Sequence, residues 1–219
     1  METIIDALPK LLHATGETLL FVVVAMVVGG IVGLVIGTTL VVTRKGGLLE
    51  NRGVYLVLNL LVNFFRPIPF VILIFALMPL TRFVVGTGIE NKAFIFVLAF
   101  AASFGIARLA EQNLLTVDPG VIEAARSMGA SPLRIIFTVL YAEGLAPLIL
   151  GYTFAFIAVV DMSAIATVIG GGGLGTLAIV DGFRQFKPEL MWAAVLLMIV
   201  IVHLAQVLGN ALARKVRRR

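Results

Sequence analysis

Long apolar runs without a single charged side chain constrain this sequence more than any other feature. Residues 18–42 and 190–213 contain no Asp, Glu, Lys or Arg. Each run exceeds the roughly 20 apolar residues that a membrane-spanning helix needs. The chain has 219 residues, of which 60% are hydrophobic and 13% charged, and a water-soluble domain of this length could not bury so much apolar surface in one core. A membrane protein is therefore predicted.

Three further apolar segments complete a set of five predicted spans. They are residues 54–80, 93–114 and 145–169, and the last of these carries one charge, Asp161. We expect an all-α fold with five transmembrane helices in a single domain over residues 1–219. An additional short helix is predicted at the N-terminus, where Leu8, Leu11 and Leu12 recur at helical spacing together with Ile4 and Ile5.

The distribution of positive charge predicts the orientation. With the N-terminus outside and the C-terminus in the cytoplasm, ten Lys or Arg residues fall on the inner side and five on the outer side, which is the expected bias. Membrane placement, and not a nucleic-acid surface, accounts for the net charge of +5. The basic end of the chain is expected to anchor the last helix at anionic lipid headgroups. The inner residues are Arg44, Lys45, Arg52, Arg126, Arg134, Arg214, Lys215, Arg217, Arg218 and Arg219, and the outer ones are Lys10, Arg82, Lys92, Arg184 and Lys187.

Five helices are too few to enclose a solute path alone, so the chain is expected to act as a homodimer. The first predicted span carries Gly29, Gly33 and Gly37 at four-residue spacing. Small residues at this spacing let a second helix approach closely. Packing within the same subunit is the simpler interpretation of this face and the one that we favour.

The second predicted span is interrupted at Arg66-Pro67-Ile68-Pro69. Proline removes a backbone donor and clashes with the preceding turn, so a kink or an unwound patch is expected. A membrane-embedded break must be covered by protein or line a water-filled cavity. Two interpretations of Arg66 stay open: it caps the carbonyl groups freed by the prolines, or it lies on a transport path.

Three more acidic or basic residues, counting Asp, Glu, Lys and Arg, fall within the predicted spans. Arg108 and Glu111 lie three residues apart near the inner end of the third span, and we expect them to form a pair that reaches the headgroups. Asp161 lies deep in the fourth span without a basic neighbour. Such an acid should face a cavity, be protonated, or pair with a residue of another helix such as Arg66.

The cytoplasmic loop at residues 118–132 predicts a short amphipathic helix. Asp118 is a suitable N-cap, and Pro119 suits the first helical position. Gly129 is a natural stop, and Ser131 with Pro132 begins a second helix. The apolar residues Val121, Ile122, Ala125 and Met128 fall on one predicted face. A helix of this kind needs the membrane surface or a partner groove to pack against.

This loop resembles the E-A-A-x-x-x-G coupling loop of ABC importer permeases. The matching residues are Glu123, Ala124, Ala125 and Gly129. Further motifs are similar to the methionine-type permeases: N-F-F-R-P-I-P-F at 63–70, T-R-x-x-x-G-T at 81–87, A-R-x-x-E at 107–111 and G-G-G-G-L-G at 170–175. The glycine run lacks the Lys-Ser/Thr of a nucleotide-binding loop.

The chain departs from that family's pattern at three places. Residues 140–146 lack both prolines of the usual L-P-E-A-L-P, Asp161 replaces a small neutral residue, and Gln112 replaces a frequent asparagine. We expect the missing prolines to change how residues 140–146 dock on a partner. We expect the acid Asp161 to affect which solute is carried.

The resemblance implies a type I importer permease in a bacterial inner membrane. The partners would be a second copy of the permease, a cytoplasmic ATPase dimer that holds ATP and Mg, and an extracytoplasmic substrate-binding protein. No cofactor, metal or catalytic residue is expected in the chain itself. The implied ATPase-coupling residues are Glu123, Ala124, Ala125, Met128, Gly129, Ala130 and Pro132. The expected path or gate residues are Arg66, Pro67, Pro69, Asp161, Ser163 and Ile165.

Methionine or a related amino acid is the solute that the resemblance implies, and another small polar solute is the alternative. An ion channel would need a ring of polar side chains along a pore, and only Asp161 qualifies. A membrane-embedded enzyme is disfavoured because His13 and His203 are far apart and match no catalytic motif.

Overall fold

The computed structural model describes residues 7–217, and this part of the chain is helical with no strand. Four helices are long and apolar enough to cross a membrane, and a fifth span results if the broken pair Arg52–Phe65 and Phe70–Ala76 is counted as one. The predicted all-α architecture with five spans is therefore confirmed. The four unbroken spans are Leu8–Thr43, Glu90–Leu114, Pro132–Ser163 and Pro188–Arg217.

The helices follow one another with short connections. In chain order they are α1 (Leu8–Thr43), α2 (Arg52–Phe65), α3 (Phe70–Ala76), α4 (Met78–Val85), α5 (Glu90–Leu114), α6 (Pro119–Ser127), α7 (Pro132–Ile135), α8 (Tyr141–Ser163), α9 (Leu174–Thr176) and α10 (Pro188–Arg217). A π-helical stretch, Ile136–Leu140, joins α7 to α8, a 3₁₀ turn covers Ala166–Ile169, and a second π-helical stretch, Leu177–Phe183, follows α9.

The predicted N-terminal helix is not separate where the structure describes it. Leu8, Leu11 and Leu12 belong to α1, which runs without a break through Thr43. Ile4 and Ile5 lie outside the described residues. At 1.5 Å per residue, the 36 residues of α1 extend about 54 Å. This length exceeds a hydrocarbon core of about 30 Å, so one continuous helix replaces the predicted pair.

The break in the second span lies where the prolines predict it. The backbone N–H of Arg66 still donates to the carbonyl of Val62 at 3.1 Å, and this is the last α-helical bond of α2. Pro69 then caps α3. The predicted span continues from this break to residue 80, but the chain turns again at Leu77 and α4 begins with Pro79 near its start.

The fourth span also differs from the prediction at both ends. Its apolar run begins at Pro132, well before residue 145, and α8 ends at Ser163 instead of residue 169. The Ser163 hydroxyl donates to the carbonyl of Val160 at 2.6 Å, and the 3₁₀ turn Ala166–Ile169 follows. The helix ends here although the residues that follow stay apolar.

Contacts divide the chain into two compact units. Unit 1 comprises three segments: the chain as far as Gly29, then Ile68–Ala102, then Phe156–Ala205. Unit 2 comprises Gly30–Pro67, Ser103–Ala155 and the chain from Gln206 onward. Each unit combines segments that are distant in sequence. That both belong to one permease domain stays a prediction.

Unit 1 is held together by apolar packing and by hydrogen bonds to the glycine loop. Phe94 of α5 packs edge-on against Phe21 of α1 and Phe70 of α3, with ring centroids 5.4 and 5.9 Å apart. A second buried cluster joins the start of α1 with α9 and the start of α10 through Leu11, Leu174 and Leu190, among other residues.

Unit 2 depends on close contact between α1 and α5. A Cβ atom on Gly37 would lie 2.5 Å from the carbonyl oxygen of Ala107, and one on Gly33 would lie 2.7 Å from that of Ser103. Only glycine permits this approach. The small-residue face of α1 therefore packs within the chain at these two positions, as predicted.

Candidate functional site

The loop after α5 folds locally as its residue types predict. The Asp118 carboxylate accepts a hydrogen bond from the N–H of Gly120 at 2.8 Å, and Pro119 is the first residue of α6. Gly129 has a φ of +78°, which is the left-handed conformation that ends the helix. The Ser131 hydroxyl then accepts from the N–H of Arg134 at the start of α7.

The predicted apolar face of α6 is divided between two environments. Ala125 is buried, and Ile122 packs on the cluster that contains Val117 and Leu140. Val121 and Met128 point the other way, with 41% and 82% of their surface exposed. Only part of the face therefore attaches α6 to the rest of unit 2, and the other part is left uncovered.

The uncovered side of α6 continues onto α7 and the π-helical stretch after it. Leu133 and Phe137 are 64% and 67% exposed, and sequence analysis did not single out either residue. Exposed apolar side chains rimmed by charged ones are typical of protein-interaction surfaces. We call Val121, Met128, Leu133 and Phe137, with the charged rim of Glu123, Arg126 and Arg134, the coupling surface.

The predicted coupling residues are not equivalent in the structure. Glu123, Ala124, Met128 and Gly129 are exposed, whereas Ala130 and Pro132 are half-buried. Ala125 faces inward with 6% of its surface exposed. Its small side chain allows α6 to pack closely on the rest of unit 2, so the second alanine of the motif lies on the inward side of the helix.

The broken span places its polar residues at the end of α2. Arg66 and Pro67 are exposed, and with Asn63 they line an open concavity. Within residues 7–217, the Arg66 guanidinium makes no side-chain hydrogen bond or ion pair, so it caps none of the described carbonyl groups. Pro69 is exposed at the start of α3.

The predicted ion pair between Arg108 and Glu111 is confirmed, and both side chains lie mostly within the protein. Their side chains are 15% and 8% exposed. Arg108 points toward α2, where its Nη2 donates to the amide oxygens of Asn59 at 2.9 Å and Asn63 at 2.6 Å. These two asparagines supply the acceptors that let the guanidinium stay buried, which sequence spacing could not indicate.

The remaining predicted path residues lie around the end of α8. Asp161 is exposed, and its carboxylate has no hydrogen-bond or ion-pair partner in the described part of the chain, so the suggested pairing with Arg66 is not observed there. Ser163 is 3% exposed and Ile165 is half-buried. The Ser163 hydroxyl donates its one hydrogen to Val160, and its oxygen, which can still accept, is buried away from a solute.

The glycine loop after α8 is anchored by side chains that sequence analysis missed. The N–H groups of Gly172, Gly173 and Leu174 donate to Asn91 Oδ1, Glu17 Oε2 and Thr18 Oγ1, each at 2.8 Å. Asn91 Nδ2 also donates to Glu17 Oε1 at 2.9 Å. The loop amides are thus satisfied internally, unlike those of a phosphate-binding loop.

Comparison with known proteins identifies the family. Residues 29–218 match the family model described as the inner membrane component of binding-protein-dependent transport systems. This chain belongs to that permease family. Among curated relatives, a probable D-methionine transport system permease protein MetI of Vibrio cholerae is 42% identical, over 95% of this chain and 93% of its own length. The methionine import system permease protein MetP of Bacillus subtilis is 41% identical, over 82% and 81%.

Solved structures agree with the fold of the permease. A chain from inward-facing conformations of the MetNI methionine ABC transporter is 37% identical and has a TM-score of 0.90, over 94% of this chain and 95% of that one. A crystal structure of an amino acid ABC transporter with histidines has a TM-score of 0.79 at 22% identity, which supports the fold alone.

Family membership confirms the resemblance drawn from the coupling loop and the four further motifs. The chain is an inner-membrane permease of the methionine type, in which the α6 loop carries the E-A-A-x-x-x-G residues Glu123 and Gly129. Two of the other motifs meet in the structure, because Asn63 of the broken span accepts from Arg108 of the A-R-x-x-E motif.

Proposed function

We propose that this permease imports methionine as a homodimer driven by a separate ATPase, which docks on the coupling surface. Relatives named as methionine permeases match nearly the whole chain at about 40% identity. The observation that carries the coupling assignment is the exposed apolar surface on α6 and α7, since 82% of the Met128 surface and 64% of the Leu133 surface are uncovered. The charged residues Glu123, Arg126 and Arg134 beside this surface favour a protein partner over lipid tails.

The proposed mechanism transmits movement through α6. ATP and Mg bind to the ATPase, whose closure brings the two α6 helices of the dimer together. Because Ala125 and Ile122 attach α6 to the core of unit 2, a displacement of α6 moves that core with it. Packed helices respond to such a displacement as rigid bodies, which suits alternating access between inward- and outward-facing states.

The chemistry of ATP hydrolysis belongs to the partner in this proposal, and this chain supplies the docking surface and the path. The N-terminus lies outside and the C-terminus in the cytoplasm, where Arg214, Lys215 and Arg217 in the last turn of α10 meet lipid headgroups. The end of α8, with Asp161 and Ile165, and the break at Arg66, Pro67 and Pro69 border the path. A substrate-binding protein delivers methionine to the outer side.

The test reconstitutes the permease with its ATPase and binding protein in vesicles and measures methionine uptake and ATP hydrolysis. The double substitution Glu123→Arg with Gly129→Leu replaces the one acid of the rim with a base and forces a side chain into the left-handed turn. We expect it to abolish uptake and coupled hydrolysis while the protein still inserts in the membrane. Glu189→Arg is the control, because Glu189 is an exposed acid in the first turn of α10 and lies outside the coupling surface. Normal uptake by the double variant would overturn the coupling assignment.

A further inference from the structure

The polar group at the end of α2 has features of a ligand site. Asn63 and Arg66 lie three residues apart, so they share one face of the helix just before the break. With Pro67 they line an open concavity. We propose that Asn63 and Arg66 form a carboxylate-binding subsite for the transported amino acid, with Arg108 as the positioning residue that holds Asn63.

The side chains that line this concavity have N–H donors that remain unused. The Asn63 amide oxygen is occupied by Arg108 Nη2 at 2.6 Å, and its Nδ2 donates to Asn59 Oδ1 at 3.3 Å, which leaves one N–H of that amide unused. The Arg66 guanidinium has five N–H donors and no acceptor, and proline has no side-chain polar group. A carboxylate, which only accepts hydrogen bonds, complements such a lining.

The charges around the concavity also favour an anion. Arg108 is neutralised by Glu111, with which it forms a buried ion pair. The charge of Arg66 has no counterpart among the described residues. An uncompensated guanidinium in a membrane-spanning segment is costly unless it faces water or an anionic partner, and its planar fork matches a carboxylate in bidentate geometry.

The buried ion pair explains how Asn63 is held. Arg108 joins α5 to α2 through both Asn59 and Asn63, and beside them Phe65 stacks on Phe104 with ring centroids 4.9 Å apart. The last turn of α2 is therefore fixed on both sides before the chain unwinds. A subsite needs its donors placed to within a fraction of an ångström, and these contacts supply that placement.

The test measures ligand binding by the permease–ATPase complex in phosphatidylcholine nanodiscs, without ATP or binding protein. The two probes are radiolabelled L-methionine and L-methioninamide, which replaces the carboxylate with a neutral amide. We expect the wild type to prefer methionine. Arg66→Gln should lower methionine affinity by about tenfold or more and leave methioninamide affinity unchanged, and Arg66→Lys should fall between the two. Arg52→Gln, at the exposed start of the same helix, is the matched control and should behave as the wild type.

The role of Arg108 is tested by non-additivity. Asn63→Ala and Arg108→Gln should lower methionine affinity by similar factors, and the double variant should be no weaker than either alone. Should Arg108→Gln fail to fold, Asn63→Ala still tests the subsite, because Asn63 is exposed. Equal loss of affinity for both probes after Arg66→Gln, or no loss for either, would overturn the proposal.

A lipid phosphate is the other source of an anion at this position, and the same complex distinguishes it. If phosphatidylglycerol is retained by the wild type and lost in Arg66→Gln, while methionine and methioninamide bind alike, the subsite belongs to lipid and the proposal is wrong. The inference depends on the proposed function, but the two can fail separately. If the full system takes up methionine but Arg66→Gln affects the binding of methionine and methioninamide equally, the subsite is rejected and the proposed function stands.

Discussion

The Arg108 guanidinium donates to the amide oxygen of Asn63 at 2.6 Å and thereby joins α5 to the last turn of α2. This bond links two sequence motifs that are 45 residues apart. It also fixes α2 one turn before the helix breaks at Pro67. The geometry of the break therefore depends on a buried ion pair in a neighbouring helix.

Removing one member of that ion pair should destabilise the protein more than removing both. Arg108→Met leaves the Glu111 carboxylate buried without its partner, and the expected cost is about 3–5 kcal/mol. The double substitution Arg108→Met with Glu111→Met removes both charges and should recover much of this loss. Thermal unfolding of the purified permease in detergent measures both values. A double variant less stable than Arg108→Met would contradict this account.

A charge introduced on the coupling surface should leave the folding of the permease intact and weaken its binding to the ATPase. Met128→Asp places a charge on a side chain that is 82% exposed, so the stability of the isolated permease should change by less than about 0.5 kcal/mol. Its affinity for the ATPase should fall by about tenfold or more, because the carboxylate would be buried in the interface. Co-purification at graded ATPase concentrations measures the effect. Ser127→Asp, at the neighbouring exposed position, is the control and should bind more tightly than Met128→Asp.

The close contact between α1 and α5 should make Gly37 intolerant of a methyl group. A Cβ atom there would lie 2.5 Å from the Ala107 carbonyl oxygen and 2.8 Å from the Ala110 Cβ, so Gly37→Ala should cost about 1–3 kcal/mol of stability. Gly105→Ala is a matched control within α5, where a Cβ would meet no atom within 4 Å. It should be neutral or stabilising by about 0.5–1 kcal/mol, since alanine favours the helix. Similar melting temperatures for the two variants would show that the contact is looser than described.

The glycine loop should depend on the Glu17 carboxylate. Glu17 accepts from Asn91 Nδ2 and from the N–H of Gly173, and Glu17→Gln would replace one of these oxygens with a donor. We expect amide hydrogen exchange at Gly172 and Gly173 to accelerate by about tenfold, while exchange within α10 stays unchanged. Gly172→Ala should produce a similar effect, because its Cβ would collide with the Glu17 carboxylate. Unchanged exchange in Glu17→Gln would mean that other contacts hold the loop.

Much of the fold could be predicted because it depends on neighbours along the chain. The apolar runs predicted the spans, the prolines predicted the break after Arg66, and Asp118, Gly129 and Ser131 predicted the ends of α6 and α7. Predictions failed where side chains choose between local and distant partners. The helix α8 ends at Ser163 although the residues that follow are apolar, and Arg108 bonds Asn59 and Asn63 of α2.

The candidate sites were likewise predicted from the sequence only in part. The E-A-A-x-x-x-G residues located α6, but exposure alone separated Met128, which faces outward, from Ala125, which faces inward. Leu133 and Phe137 had no sequence signal, since exposed and buried apolar residues look alike in a membrane protein. Only the packing of this segment against the rest of unit 2 shows that both residues are exposed.

The sequence by itself determined the membrane class, the number of spans, the break in the second one and the short helix that marks the permease family. Each of these follows from apolar length, proline geometry or helix capping, which act over a few consecutive residues. The tertiary structure decided which ionisable groups are satisfied. Arg108 finds its acceptors on α2, and the glycine loop finds Glu17 and Asn91 on two other helices. Such partners are distant in sequence and meet only when helices pack, which no local pattern encodes.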